Sequence, residues 1–219
     1  RSVAQKLIDE NRMPRLGVEG RSDVTILFAD MRNFTAVAEG LGPEQTLHVL
    51  NAYLEVVASA IWRHQGNVIQ IVGDMVMAAF NAPDPLPNHP LHAVRAALDV
   101  CDSLKRFINQ ARTEKLPALG FGLGIYTGQV TTGYLGVENR FHYSVIGDTT
   151  NVASHLCSRA KAGQIIIGQP TLDRLTGLIE TIPLGETRLK QRRATLMLHE
   201  LVGLNETSSN GDQFQSEST

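Results

Sequence analysis

The chain has few cysteines, few aromatic residues and no excess of basic charge, and each shortage excludes a class of protein. Its 219 residues include two cysteines and one tryptophan, and aromatic residues make up 5%. Cys101 and Cys157 lie far apart and outside any CxxC pair, which argues against a disulfide scaffold or a zinc finger. The net charge of −2 excludes a protein that coats DNA or binds membranes through a polybasic surface. No apolar run approaches the roughly 20 residues of a membrane-spanning helix.

The composition that remains is that of a globular protein with its own core. Hydrophobic residues make up 42% and charged residues 19%, and the length is sufficient for one large domain. We expect residues 1–20 to form a linker helix from an upstream region, residues 21–203 to fold, and residues 204–219 to be a disordered tail. The first residue is Arg1, so we expect a piece of a longer polypeptide. We place it in the cytoplasm, with the full-length protein either soluble or tethered to a membrane.

Hydrophobic periodicity predicts an α+β fold with a ferredoxin-like βαββαβ core. The predicted elements are a strand over 24–30, a helix over 43–64, strands over 67–72 and 75–80, a helix over 91–111 and a strand over 119–126. A C-terminal α/β extension follows, with strands near 129–136, 143–146, 165–167 and 196–202 and a helix over 151–160. We expect an antiparallel-rich sheet with helices packed on it.

Two carboxylates are expected to meet at one rim of this sheet. Asp30 ends the buried strand 24–30, and Asp74 lies in the Gly73-Asp74 turn between the next two strands. Two like charges that close together need a cation between them or a raised pKa. Oxygen ligands favour Mg²⁺ or Mn²⁺, and Mg²⁺ commonly uses one or two carboxylates with substrate phosphates. The alternative is that Asp30 caps the following turn and that Asp74 is only a turn residue.

Four sequence motifs occur in order on the predicted elements. They are FADMRNFT (28–35), VGDMVMAAF (72–80), GIYTGQV (124–130) and YSVIGDTTNVASHL (143–156). Together they closely resemble the catalytic domain of class III nucleotidyl cyclases, the adenylate and guanylate cyclases of bacterial type. The resemblance extends from about Val24 to Val202, so it covers nearly the whole folded domain.

The resemblance implies a reaction, a metal site and a set of substrate contacts. Such enzymes convert ATP or GTP to the 3′,5′-cyclic monophosphate and pyrophosphate with two Mg²⁺ or Mn²⁺ ions per active site. Asp30, Asp74 and the backbone carbonyl of Met31 would hold the metal ions. The turn that offers N–H groups to the triphosphate would comprise Arg32, Asn33, Phe34 and Thr35.

The resemblance also implies a head-to-tail homodimer whose two active sites are shared across the interface. One chain would contribute Asp30, Asp74, Gln70 and the turn glycine Gly73. Its partner would contribute Ser144, Asn151 and His155, and Asn151 would position the ribose. We expect no nucleic-acid partner, and the upstream sensor or regulatory domains lie outside this sequence.

The two positions expected to select the base depart from the family pattern. Where adenylate cyclases usually have lysine and guanylate cyclases glutamate, this sequence has Gln70. Where adenylate cyclases have aspartate or threonine and guanylate cyclases often cysteine, it has Ser144. An amide and a hydroxyl can each donate or accept a hydrogen bond, so this pair is no clean selector of ATP or GTP. Ser144 keeps the hydroxyl of threonine, which favours adenine.

The phosphate contacts also depart from the family pattern. His155 stands where the family has an arginine that stabilises transition-state charge, and a histidine lacks the bidentate fork of a guanidinium. Arg159 lies one turn further on and is a candidate to reach back, with a solvated surface charge as the alternative. Lys190 and Arg192 replace a Lys-Gly type loop. Asn33 replaces a glycine, a change that a left-handed conformation tolerates.

We therefore predict a homodimeric adenylate cyclase. The alternatives are a guanylate or dual-specificity cyclase, or a degenerate domain that only binds nucleotide or dimerises. The intact Asp30, Asp74 and Asn151 argue against the degenerate domain, whereas His155 argues for it. A ferredoxin-like nucleic-acid binder is disfavoured by the acidic pI of about 6.4 and the shortage of aromatic residues.

Overall fold

Eight strands form one sheet in the computed structural model, which describes residues 16–113, 119–137, 140–188 and 195–205. The strands are β1 (Gly17–Arg32), β2 (Asn67–Val72), β3 (Met75–Phe80), β4 (Gly120–Val137), β5 (Arg140–Ile146), β6 (Gln164–Gly168), β7 (Ile179–Arg188) and β8 (Thr195–Leu204). The helices of these residues are α1 (Phe34–Gly40), α2 (Pro43–Arg63), α3 (His89–Thr113), α4 (Asp148–Arg159) and α5 (Gln169–Asp173).

The strand order confirms the predicted α+β class and the βαββαβ core. The sheet runs β2-β3-β1-β4-β6-β8-β7, with β5 paired to β4 outside this path. The pairs within β2-β3-β1-β4 are antiparallel, β4 and β6 are parallel, and β6-β8-β7 are antiparallel. The first four strands are therefore the ferredoxin-like core, and the later strands extend its β4 edge.

Several elements are longer than the sequence pattern predicts, and one strand was not predicted. β1 begins at Gly17, inside the segment predicted as a linker, and β4 is one strand of 18 residues where two segments were expected. β7 was missed because most of its residues are exposed and polar, so they show no period-2 pattern. The predicted linker helix up to residue 15 and the tail from residue 206 lie outside the described residues.

The sheet separates two apolar layers, as the alternation of side chains along β1 requires. Leu27 and Ala29 face the layer formed with α2 and α3, whereas Ile26 and Phe28 face the layer that contains α4. The sheet therefore holds α4 on one side and the α2–α3 pair on the other. Among the described residues, no helix is long and apolar enough to cross a membrane.

Glycines on one face of β4 bring α4 unusually close to the sheet. Gly120, Gly122 and Gly124 alternate with apolar residues that face the opposite layer. A Cβ atom at Gly124 would lie 2.2 Å from the backbone nitrogen of Cys157 and 2.5 Å from the carbonyl oxygen of Ala153. Such contacts do not occur in folded proteins, so the helix can occupy this position only over a glycine.

Candidate active site

Asp30 and Asp74 lie together at one rim of the sheet. Asp30 is near the end of β1, and Asp74 lies in the turn that joins β2 to β3. β3 pairs with β1 up to the register Ala29–Val76, which brings the turn beside the end of β1. The two carboxyl groups interact both through their charges and through a side-chain hydrogen bond. The structure thus places the two aspartates where the sequence predicts them.

The environment of Asp30 favours its protonated form. Partial burial raises the pKa of Asp30 above its ordinary value of 3.8, and the neighbouring Asp74 raises the pKa further. Arg32 acts in the opposite direction, because its guanidinium donates a hydrogen bond of 2.6 Å to the Asp30 Oδ2 atom. The balance is a carboxylate pair that one arginine leaves incompletely neutralised, which is the electrostatic situation that a bound cation relieves.

The groups at this rim fit a hydrated divalent cation that substrate phosphates complete. The Met31 side chain is buried in the core, so this residue can offer the rim only its backbone carbonyl. Within the described ranges no cluster of three or more His, Cys, Asp or Glu side chains could hold a metal ion. Two carboxylates and a carbonyl make a partial shell of hard oxygen ligands, which suits Mg²⁺ or Mn²⁺ with phosphate oxygens and excludes an all-protein cage.

Tyr53 supplies a second observation at this rim. Its side chain on α2 is buried, and its hydroxyl has no hydrogen-bond partner within the part of the chain that the structure describes. Burial, with the charges of Cys157, Asp30 and Asp74 adding to it, holds the pKa of Tyr53 well above its ordinary value. The hydroxyl therefore keeps its proton and remains a donor next to the carboxylate pair, where a ligand such as metal-bound water would satisfy it.

The turn after Asp30 has the backbone conformation expected of a glycine. Asn33 has φ 61° and ψ 24°, and its carbonyl accepts a hydrogen bond of 3.0 Å from the Val37 nitrogen, which begins α1. Asparagine adopts this left-handed conformation more readily than other non-glycine residues. Phe34 is partly buried against the core, and Thr35 is exposed. The turn is thus formed with asparagine in the place of glycine.

The Arg32 side chain turns away from this turn. It contacts Asp30 and also the carbonyls of Cys157 and Ala160 at the end of α4. Sequence reasoning missed both this side chain and Tyr53. The signal for Arg32 was present in the alternating glycines of β4, because a strand that lacks side chains on one face leaves room for another group to cross it.

The residues expected to select the base lie far apart within one chain. Gln70 is exposed on β2, and Gly73 has φ 59° in the turn before Asp74. Ser144 is buried on β5, where it pairs with Gly133 of β4, whereas Asp30 pairs with Gly122. Eleven residues separate these two positions of β4, and at about 3.3 Å per residue the separation is roughly 30 Å or more. A single chain therefore does not bring Ser144 to the carboxylate pair.

The other predicted residues lie on the solvent face of α4. Asn151, His155 and Arg159 are all exposed and follow one another at intervals of four residues, whereas Val152 and Leu156 are buried. The three side chains therefore form one row on the helix, as the pattern predicts. Lys190 and Arg192 lie outside the described residues.

The raised pKa of Asp30 leads to a prediction about stability. A carboxyl whose pKa is higher in the folded than in the unfolded chain stabilises the fold below its ordinary pKa, and this contribution is lost as pH rises through the folded-state pKa. Without metal at neutral pH, Asp30→Asn is thus expected to raise the melting temperature, by no more than about 4 °C for a domain of this size. The gain should vanish near pH 3.

Thermal melts of both proteins across this pH range test the prediction. Asp102→Asn, at an exposed aspartate of α3, is the control and should leave the melting temperature nearly unchanged. A lower melting temperature for Asp30→Asn at neutral pH would contradict the electrostatic account. Addition of Mn²⁺ should stabilise the wild-type chain more than Asp30→Asn, since only a ligand that binds the folded state raises its stability.

Comparison with known proteins identifies close relatives of this arrangement. Residues 16–203 match the family described as the adenylate and guanylate cyclase catalytic domain. Adenylate cyclase 1 of Rhizobium meliloti (strain 1021) is 33% identical over 186 residues, which are 84% of this chain and 28% of that protein. The chain therefore spans less than a third of the length of this relative.

Solved structures with the same fold include enzymes named for either nucleotide. The adenylyl cyclase CyaB from P. aeruginosa has a TM-score of 0.82 and 28% identity, over 85% of this chain and 96% of that one. The guanylyl cyclase Cya2 has a TM-score of 0.84 and 30% identity, over 88% and 98% of the two chains. The similarity therefore extends to both specificities.

Proposed function

Since the chain belongs to the adenylate and guanylate cyclase catalytic domain family, we propose that it is an active enzyme that converts ATP to 3′,5′-cyclic AMP and pyrophosphate. The observation that carries this proposal is the pair formed by Asp30 and Asp74 at the sheet rim. A domain that only dimerises gains nothing from two adjacent, partly buried carboxylates, because their repulsion destabilises the fold.

The residues at the rim have distinct parts in this mechanism. Asp30, Asp74 and the Met31 carbonyl would hold two Mg²⁺ or Mn²⁺ ions, which when bound activate the ribose 3′-hydroxyl and neutralise the phosphates. The backbone N–H groups of the turn from Arg32 to Thr35 would face the triphosphate. Asn151 would orient the ribose, so that its hydroxyl is aligned with the α-phosphorus.

The active enzyme is a homodimer in this proposal. Asp30 and Ser144 are too far apart to serve one site of a single chain, so a second copy must supply Ser144 and Asn151. An apolar surface supports the assembly, since exposed hydrophobic side chains occur together near the start of β1 and on the β4–β5 hairpin. They are Leu16, Val18, Leu135, Val137, Phe141 and Ile146.

ATP is the proposed substrate, with GTP as the second candidate. Ser144 lines an apolar cavity of about 150 Å³ between the start of β1 and the β4–β5 hairpin, and its hydroxyl can accept from the adenine amino group. Gln70 and Ser144 can both reverse their hydrogen-bond polarity, which is the observation that favours guanine as well. A site of this kind discriminates weakly, so we expect measurable turnover of both nucleotides.

The proposal is tested by cyclic nucleotide production by the purified chain. ATP and GTP are supplied separately, each with Mg²⁺ and with Mn²⁺, over a range of protein concentrations. We expect cyclic AMP to dominate and specific activity to rise with concentration, because only dimers have complete sites. Dominant cyclic GMP would overturn the choice of base and leave the metal argument intact. Silence in all four mixtures would favour the degenerate domain, with His155 as its cause.

Arg159 is proposed to contact the phosphates in place of the family arginine that His155 replaces. Arg159→Ala is then expected to lower kcat about tenfold or more, as removal of a donor to developing charge does. Arg106→Ala is the matched control, since Arg106 is an exposed arginine of α3 that donates only to Ser103. Equal activities of the two variants would show that Arg159 is a solvated surface charge.

A further inference from the structure

We propose that Arg32 is a positioning residue that ties the Asp30 carboxylate to the C-terminal end of α4. The inference rests on the proposed function only for the roles of the two places that it connects. Asp30 belongs to the metal-binding half of one active site, and α4 carries Asn151 and His155, which serve the partner's site. Arg32 thus links two half-sites within one chain.

The contacts of Arg32 reach both places at once. One terminal nitrogen donates to Asp30 Oδ2 at 2.6 Å, the Nε atom donates to the Ala160 carbonyl at 2.9 Å, and the other terminal nitrogen donates to the Cys157 carbonyl. The side chain is 19% exposed. A planar guanidinium can serve three acceptors in different directions, whereas a lysine ammonium is a single point of charge.

Both ends of this contact are negative, which makes the arrangement stable. The carbonyls of Cys157 and Ala160 lie at the C-terminal end of α4, where the helix dipole places partial negative charge and leaves carbonyls without intrahelical partners. Asp30 is the other negative group. The cation therefore binds a carboxylate and a helix end together, so a displacement of one acts on the other.

Gly122 provides the path that Arg32 takes across the sheet. It pairs with Asp30 on the neighbouring strand. A Cβ atom at this position would lie 2.2 Å from an Arg32 terminal nitrogen, 2.8 Å from its Cζ atom and 3.0 Å from the Ala160 Cβ atom. Any larger residue at 122 must therefore displace the guanidinium, although the strand backbone itself would accept one.

The tie has a consequence for metal binding. A metal ion on the remaining oxygen of Asp30 would hold the carboxylate still, and Arg32 would then hold the last turn of α4. Metal binding at one site would restrict the helix that presents Asn151 to the other site. This is a coupling between two sites through one identified element.

Hydrogen exchange of α4 with Mn²⁺ alone tests the tie without any need for turnover. In the wild-type chain we expect Mn²⁺ to slow exchange in residues 156–161 about twofold or more. In Arg32→Met, these amides should exchange about fivefold faster without metal, as loss of one ordinary hydrogen bond predicts, and should not respond to Mn²⁺. Gly122→Ala, which keeps the arginine and blocks its path, should behave in the same way.

Two control variants separate the tie from a general loss of stability. Arg63→Met removes an exposed arginine bound to Asp99, and a Cβ atom at Gly203 would meet no described atom within 4 Å. Arg63→Met and Gly203→Ala should both keep the wild-type response to Mn²⁺. A wild-type response in Arg32→Met and Gly122→Ala would overturn the tie, and so would unchanged exchange in both variants without metal.

The outcome is independent of the proposed function. A wild-type chain that forms no cyclic nucleotide but shows the expected exchange pattern would refute the catalytic proposal and support the tie. An active wild-type chain whose α4 exchange ignores both Arg32 and Mn²⁺ would refute the tie and leave the catalytic proposal standing.

Discussion

Asp30→Asn is expected to lower cyclic nucleotide production by about a thousandfold, while the chain stays folded. Amide and carboxyl groups have nearly the same size, so the change removes a charge and little volume. Metal ions contribute several kcal/mol of transition-state stabilisation, and each 1.4 kcal/mol corresponds to a tenfold change in rate. The measurement is the initial rate with saturating ATP and Mn²⁺, with circular dichroism of the same sample as the test of folding.

The matched control is Asp102→Asn, at an exposed aspartate that pairs only with Lys105 on the same helix. It should retain the wild-type rate. A folded Asp30→Asn variant with more than about a tenth of the wild-type rate would refute the assignment of Asp30 as a metal ligand.

Mixing two inactive variants is expected to restore activity to about a quarter of the wild-type value. Asp30→Asn damages the metal-binding half of a site and Asn151→Ala the ribose-binding half, so each homodimer has two damaged sites. In a mixed dimer, one site carries both changes and the other carries neither. Random exchange makes half of the dimers mixed, each with one intact site of two.

A second mixture provides the control for this complementation. Asp30→Asn and Asp74→Asn both damage the metal-binding half, so their mixed dimer has no intact site and should remain inactive. Equal recovery in both mixtures, or none in the first, would contradict active sites shared in the proposed way. The measurement is the rate as a function of mixing ratio, with its maximum expected at equal amounts.

Local sequence patterns were sufficient to predict the core of the fold. The helix predicted over 43–64 is α2, and the hairpin predicted around Gly73-Asp74 joins β2 to β3. Apolar spacing determines such elements because one face of each must be buried. β7 could not be predicted in this way, since pairing with β8 holds it in the sheet although most of its side chains face solvent.

The positions of the candidate site residues were predictable to different degrees. Asp30 and Asp74 come together because strand order and a short turn place them, and both features can be read from the sequence. Ser144 could be assigned to a strand but not to a distance from Asp30, which depends on the unbroken length of β4. The need for a second chain becomes a geometric statement only with that length known.

The sequence by itself determined the cyclase family, the α+β core and the identity of the two rim aspartates, because motif spacing and periodicity are local properties of a chain. Only the tertiary structure decided where the Arg32 side chain goes. Its partners at Cys157 and Ala160 are more than 120 residues away, and its path exists because Gly122 lacks a side chain. A long-range contact of this kind depends on how strands and helices pack, and no local pattern encodes it.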